Sequence, residues 1–492
     1  MSLLKITNLT FSYEGSYDNI FENVSLTLDT DWKLGLTGRN GRGKTTLLKL
    51  IAGEYAYSGS ISANVNFMYF PYEVVDKQAN TLAVIDNIIT DYPEWALVRE
   101  LNLLEVSPEV LYRPFDTLSN GEQIKVLLAT MFLKENSFLL IDEPTNHLDM
   151  AGRQLVSRYL SSKSGYILVS HDRAFLDNCV DHILSINKTG LEVERGNLSS
   201  WMQNKEMREQ HELAENDQLK KDIKRLEAAS KRTASWSDKV EKTKHSQRIS
   251  GLRPDRGYIG HKAAKMMRRS QNIEERRQTA IQEKSLLLKD VETAEALKIH
   301  PLKYHTNTLL RLENVTIAYE QKTVCADINL IIQTGDRIAV CGKNGSGKSS
   351  LLKLICGEAI PFEGRLLINN TLKISCVSQD TSDLSGSLNA YAEQNNIDES
   401  LFKAILRKLD FSRSQFEKDM CNFSGGQKKK VLIARSLCEQ AHLYIWDEPL
   451  NYIDVFSRMQ IESLVKTYQP TMLFVEHDSA FCAALATKKL VL

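Results

Sequence analysis

Two octapeptides in this chain have the residue types and spacing to hold a polyphosphate. Gly38-Arg39-Asn40-Gly41-Arg42-Gly43-Lys44-Thr45 and Gly342-Lys343-Asn344-Gly345-Ser346-Gly347-Lys348-Ser349 both fit G-x-x-x-x-G-K-[ST]. Glycines let backbone N–H groups turn inward around an anion. Lys44 and Lys348 add a point charge for the outer phosphates, and Thr45 and Ser349 can ligate Mg²⁺. The first match follows an apolar strand (34–37) and opens an apolar helix (46–52), which would present its N-terminus to the anion. Thr46 and Ser350, the next residues of the two helices, complete the expected ATP-binding loops.

Two carboxylate pairs end apolar runs: Asp142-Glu143 after 138–141, and Asp447-Glu448 after 443–446. The aspartates can hold the metal, directly or through water, while the glutamates can orient and deprotonate an attacking water. His171 and His477 each follow a further buried run, where a ring could meet the γ-phosphate. Tyr13 and Tyr319 are candidates for stacking on adenine. Gln379 follows the strand 374–377 and fits a metal-shell residue; its counterpart in the first copy is Tyr72, a poor metal ligand. The two sites are therefore expected to hydrolyse at different rates.

These motifs recur in one order. The offsets are 304 (Gly38 to Gly342), 305 (Ser119 to Ser424), 305 (Asp142 to Asp447) and 306 (His171 to His477). A near-constant offset means two copies of one ATPase domain. The elements that must position the motifs alternate between short apolar strands and helices, which predicts an α/β fold with a largely parallel sheet and catalytic loops at strand C-termini.

Between the copies the composition changes. We expect a first ATPase domain over 1–199, a helical hairpin linker over 200–307 and a second ATPase domain over 308–492. Residues 206–229 and 263–297 favour helix, and helix breakers gather in the tip, 242–260. The whole chain of 492 residues is neutral, with 62 basic and 62 acidic residues. Yet Gln218 to Ser270 holds 16 Lys/Arg against 5 Asp/Glu, a local charge of +11. A solvated helical face usually mixes both signs, so this run predicts a phosphate-rich partner. At the tip, Lys242, Lys244, Arg248, Arg253 and Arg256 surround Tyr258, a mixture of cations and a ring that suits RNA.

The eight cysteines form no C-x-x-C pair, so the sequence indicates neither a zinc site nor a disulfide framework and reads as thiols in a reducing cytosol. The sequence holds no apolar run long enough to span a membrane and no signal-peptide pattern, and we expect a cytoplasmic protein.

The paired phosphate loops, Ser424-Gly425-Gly426-Gln427 and the run Asp142-Glu143-Pro144-Thr145-Asn146-His147-Leu148-Asp149 resemble the ATP-binding cassette superfamily. Two cassettes and a charged helical linker resemble its F subfamily, whose members act on ribosomes. The segments 31–36, 38–48, 444–452 and 476–478 are similar to the Lsa-type antibiotic-resistance proteins. The resemblance implies two ATP-binding-cassette nucleotide-binding domains joined by a long α-helical hairpin. It implies that Ser119, Gly121 and Glu122, and likewise Ser424 to Gln427, cap the nucleotide on the opposite phosphate loop. The first copy departs from the usual pattern at Asn120 and Glu122, though Asn tolerates left-handed backbone. ATP and Mg²⁺ are the implied cofactors. The implied partner is the 70S ribosome, through its 23S rRNA and tRNA. One chain would act as a monomer with two intramolecular ATP sites and protect ribosomes from lincosamides, pleuromutilins and streptogramin A compounds. A housekeeping translation factor of the same subfamily, an exporter's ATPase subunit and a DNA-handling cassette protein are the competing readings.

Overall fold

The computed structural model describes residues 2–14, 19–134, 136–146, 148–187, 190–243, 268, 275, 276, 279, 296–319 and 322–492. The chain divides into two compact units, Met1–Trp201 with Ala294–Leu492, and Met202–Thr293.

In the first unit the two copies repeat one plan. The first holds β1 (Leu3–Phe11), β2 (Phe21–Asp29), β3 (Lys33–Gly38), β4 (Ser58–Ser62), β5 (Asn66–Phe70), β6 (Ser137–Asp142), β7 (Tyr166–Val169), β8 (His182–Asn187) and β9 (Gly190–Arg195). The second holds β10 (Thr308–Tyr319), β11 (Lys322–Gln333), β12 (Arg337–Cys341), β13 (Phe362–Ile368), β14 (Ile374–Val377), β15 (Leu443–Asp447), β16 (Met472–Val475) and β17 (Lys488–Val491). Each copy has a small antiparallel sheet, β2-β1-β4 or β11-β10-β13. Each also has a main sheet, in the order β5-β6-β7-β3-β8-β9 or β14-β15-β16-β12-β17. The main sheets are parallel apart from the antiparallel pair β8–β9. Parallel strands are covered on both faces, which is why β7 (Tyr-Ile-Leu-Val) and β16 (Met-Leu-Phe-Val) are continuous apolar runs, buried throughout.

Register sets the chemistry. Asp142 lies opposite Val169 and Asp447 opposite Val475, so the carboxylates and the histidines leave the same edge of each sheet. Glu143 and Glu448 then turn back with φ of 52° and 46°. Left-handed backbone at a non-glycine residue costs about 1–3 kcal/mol and persists only where neighbours enforce it. Here Glu143 N–H donates to Val169 O at 2.9 Å and Glu448 N–H to Val475 O at 3.0 Å.

The structure changes four expectations. The linker helix starts earlier than residue 206: it is Leu198–Thr243, with Leu198 and Trp201 buried and the Trp201 ring 6.2 Å from that of Phe456. The helix expected over 263–297 does not include residues 296 and 297. Residues 296–300 have no regular structure, because Leu297 and Ile299 are buried in the core of the second copy. Asn120 is absent from the positive-φ residues and simply opens the helix Asn120–Met131, so no left-handed tolerance is needed. Finally, Cys356 and Cys376 are joined by a disulfide. A search for closely spaced pairs passes over it, since the loop helix Lys348–Ile355 and β14 bring together cysteines 20 residues apart.

Candidate functional site

Both phosphate loops take the shape their glycines permit. Gly43 and Gly347 have φ of 87° and 89°, and a Cβ there would lie 2.6 Å from Ile20 Cγ2 or 2.8 Å from Val324 Cγ1. The helices Lys44–Ala52 and Lys348–Ile355 begin at the next residue. Lys44 Nζ donates to the carbonyls of Gly38 (2.8 Å) and Arg39 (3.2 Å) and to Asn40 Oδ1 (3.4 Å). Lys348 Nζ donates to the carbonyls of Gly342 and Lys343, both at 2.9 Å. Burial lowers both lysines from their ordinary values, although nearby carboxylates oppose it. Tyr13 and Tyr319 stand at matching places: their hydroxyls meet Thr46 Oγ1 (2.8 Å) and Ser350 Oγ (3.1 Å), and both rings are exposed.

The carboxylate ends of the two sites differ. In the first, Thr45 Oγ1 donates to Asp142 Oδ2 at 2.7 Å, and the Tyr69 hydroxyl donates to the same oxygen at 3.1 Å. Burial, reinforced by Asp142, pushes the Tyr69 phenol far above its ordinary value and keeps it a donor. Glu143 Oε1 is buried without a hydrogen-bond partner, with His171 Nε2 3.3 Å away in poor alignment. Burial and then Asp142 push Glu143 up to about 8. Burial, with Lys44 and Arg458, holds His171 well below its usual value, so its ring is neutral.

In the second site Ser349 Oγ lies 3.4 Å from Gln379 Oε1, and Gln379 Nε2 donates to Glu448 Oε2 at 3.0 Å. Asn451 Nδ2 donates to the same Glu448 oxygen, and His477 Nε2 lies 3.4 Å from its other one. Burial alone would raise Glu448, but His477, Lys429 and Lys348 outweigh it and hold the carboxyl below its ordinary value. Asp447 Oδ1 is buried without a hydrogen-bond partner beside these oxygens. An orphaned carboxylate oxygen next to hydroxyl and amide oxygens suits a hard cation such as Mg²⁺. Thr45 and Asp142 in one site, and Ser349, Gln379 and Asp447 in the other, would hold it. Mg²⁺ there supplies charge neutralisation for phosphoryl oxygens.

The copies meet head to tail. A cavity of ≈ 370 Å³ is lined by Tyr13, Lys44, Thr45, Glu143 and His171 from the first copy and by Ser424, Gln427 and Lys430 from the second. Asn40 Nδ2 donates across the interface to Tyr452 O at 2.9 Å. Gly426 packs so closely that a Cβ would lie 2.4 Å from that carbonyl, and Gly425 lies against the Tyr452 ring. Arg39 pairs with Asp410 at 3.2 Å, and Arg173 pairs with Glu462. Lys430, at the cavity wall, makes a 2.9 Å ion pair with Asp454 that is almost wholly buried.

The second cavity is smaller, ≈ 220 Å³. Gly342, Lys343, Lys348, Glu476 and His477 face Asp149, Met150 and Ala151 of the first copy. The structure does not bring Ser119, Gly121 and Glu122 to its walls. Glu122 Oε2 accepts from both the N–H and the hydroxyl of Ser119, each at 2.8 Å, a cap on their own helix that Ser424 and Gln427 also form on theirs. Tyr72, proposed above as the counterpart of Gln379, is exposed. Lys244, Arg248, Arg253, Arg256 and Tyr258 lie outside the described residues, as does the Lys242 side chain.

Sequence reasoning missed Tyr69, Asp410, Lys430, Asn451, Tyr452 and Glu476. Only Tyr69 left a usable signal. It pairs with Leu140 on the neighbouring parallel strand, and Asp142 is two residues further along the same face, roughly 6.6 Å away and within a phenol's reach.

The ABC transporter family model matches residues 21–146 and 325–451, one stretch in each copy. The ribosome protection protein VmlR of Bacillus subtilis (strain 168) is 30% identical, over 100% of this chain and 86% of that protein. The probable ATP-binding protein YbiT of Escherichia coli O157:H7 is 25% identical, over 99% of this chain and 95% of that protein. Among solved structures, the archaeal ribosome recycling factor aABCE1, crystallised with the stalk protein aP1, superposes with a TM-score of 0.64 at 18% identity, covering 98% of this chain and 87% of that one. At that identity the likeness concerns the fold. With two matched cassettes, full-length similarity and the first phosphate loop facing Ser424 and Gln427 of the other copy, the chain belongs to the ABC family, is of its ABC-F type, and is an ATPase.

Proposed function

We propose that this chain is a cytoplasmic ribosome-protection ATPase. It binds 70S ribosomes in its ATP state, contacts 23S rRNA and tRNA through its basic linker near the peptidyl-transferase centre, and relieves inhibition by lincosamides, pleuromutilins and streptogramin A compounds. Its domains are 1–199, 200–307 and 308–492. It works as a monomer, with Mg²⁺-ATP at both intramolecular sites. Residues Gly38 to Thr46 and Gly342 to Ser350 cradle the phosphates, Tyr13 and Tyr319 flank the bases, and Glu143 and Glu448 act as general bases beside His171 and His477.

The observation that carries this reading is the two-sided first cavity. A polyphosphate held by Lys44 would touch Ser424 and Gln427 as well, so the nucleotide itself strengthens the contact between cassettes. Such a clamp can drive a soluble partner. No helix among the described residues is long and apolar enough to cross a membrane, and 16 Lys/Arg against 5 Asp/Glu between Gln218 and Ser270 suit an RNA surface. The similarity to a ribosome protection protein supports the target.

Cell-free translation inhibited by a lincosamide tests the proposal. Added protein with ATP should restore synthesis, and the Glu143→Gln, Glu448→Gln double variant should not. No rescue from any of the three drug classes, or equal stimulation without drug, would refute the protective role and favour a housekeeping translation factor.

A further inference from the structure

Strand register places Phe70 opposite Ile141 and Val377 opposite Trp446, so Tyr69 corresponds to Cys376 and Tyr72 to Gln379. In the second site, Gln379 ties the loop hydroxyl Ser349 to the base Glu448. Tyr72, the positional counterpart, is exposed. Tyr69 instead enters the first site three residues earlier, from within the strand. Its hydroxyl and that of Thr45 converge on one oxygen of Asp142, at 3.1 and 2.7 Å. Its ring is held in turn: Lys49 Nζ lies 5.7 Å from the ring centroid and pairs with Glu54 at 3.2 Å. The loop helix, which carries Lys44, Thr45 and Lys49, is thus fastened to the strand that carries Tyr69 on both sides of Asp142.

We propose that Tyr69 is the positioning residue for the metal-holding carboxylate of the first site, doing through Asp142 what Gln379 does directly in the second. This rests on the reading that both sites take Mg²⁺-ATP. A hydroxyl fixed on Oδ2 sets the rotation of the Asp142 carboxylate, and so the direction in which its oxygens face a cation beside Thr45. Unlike Gln379, Tyr69 makes no hydrogen bond to the catalytic glutamate. Tyr69 therefore tunes metal affinity at the first site without coupling it to Glu143.

The test uses full-length protein with chemistry confined to one site. In a Glu448→Gln background, Tyr69→Phe should raise the Mg²⁺ concentration for half-maximal turnover by about three- to tenfold, the worth of one ordinary hydrogen bond, and should shift only the first-site half of the binding of a fluorescent ATP analogue. Turnover should recover when Mg²⁺ is raised. In a Glu143→Gln background, Tyr69→Phe should leave the metal dependence of turnover unchanged, and Tyr72→Phe should leave it unchanged in both. An unaltered Mg²⁺ midpoint in the first background, or an equal shift in both, overturns the proposal while the ATP reading stands. If the Glu448→Gln parent itself binds the analogue without regard to Mg²⁺, both fail together.

Discussion

The two nucleotide sites of this chain share a loop, a carboxylate pair and a histidine, yet they are finished differently. At the second, Glu448 accepts hydrogen bonds from Gln379 and Asn451, and His477, Lys429 and Lys348 hold it below its ordinary carboxyl value. At the first, Glu143 has an unpartnered oxygen and is pushed up to about 8 by burial and by Asp142. The cavities differ as well: the first is faced by Ser424 and Gln427 of the second copy, and the second by the Asp149 turn of the first. Duplication conserves the groups that touch phosphate more strictly than the groups that hold the base. On the roles proposed above, the second site would hydrolyse the more readily at neutral pH, and nucleotide in the first would bridge the two copies.

Removing the bases is the strongest way to probe that difference. Glu143→Gln with Glu448→Gln should lower ATP turnover by about 10²–10⁴-fold. Of the single variants, Glu448→Gln should lose the larger share at neutral pH, because Glu448 is ionised there while Glu143 is mostly protonated. Equal losses in steady-state turnover would erase the contrast.

The first cavity also depends on the Lys430–Asp454 pair. Lys430→Met leaves Asp454 buried without its cation, which costs about 3–5 kcal/mol. Calorimetry should show a lower melting temperature, and an unchanged one would mean that Asp454 finds another partner. Gly426→Ala is a milder change. Its Cβ would meet Tyr452 O of the same copy at 2.4 Å and Asn40 Nδ2 of the first copy at 3.1 Å, and moving that carbonyl away from Asn40 at a cost of about 1–3 kcal/mol should weaken cassette closure, measured by fluorescence transfer with ATP, roughly tenfold. Closure at the wild-type ATP concentration would show that the interface tolerates the displaced carbonyl.

The smallest effect is one of pH. A general base works unprotonated, so a carboxyl near 8 gains activity as pH rises. With Glu448→Gln, residual turnover should climb roughly tenfold between pH 7 and 9 as Glu143 ionises through about 8. With Glu143→Gln, turnover over that range should be level, since Glu448 is already ionised. Parallel profiles would contradict the assignment.

Much of this was legible in the sequence because the chemistry is local. A phosphate loop, a strand-ending Asp-Glu pair and a strand-following His each declare their role within a few residues, and the offsets between copies declare the repeat. The parallel strands were legible too, since burial on both faces leaves runs such as Tyr166–Val169 with no polar alternation. Contacts between copies were not. Asn40 meets Tyr452 and Arg39 meets Asp410 across hundreds of residues, and no spacing rule connects them. Tyr72 was chosen by counting from the strand end, which fixes sequence equivalence but not which side chain reaches the carboxylate. The start of the linker helix was misplaced because Leu198 and Trp201 are anchored by tertiary burial rather than by helix propensity.

Sedimentation of the Glu143→Gln, Glu448→Gln protein with 70S ribosomes tests the whole proposal most directly. With ATP, the hydrolysis-blocked clamp should pellet with ribosomes, and with ADP it should stay in the supernatant. If it remains in the supernatant with ATP, or pellets equally with either nucleotide, the proposed ATP-gated action on ribosomes is wrong.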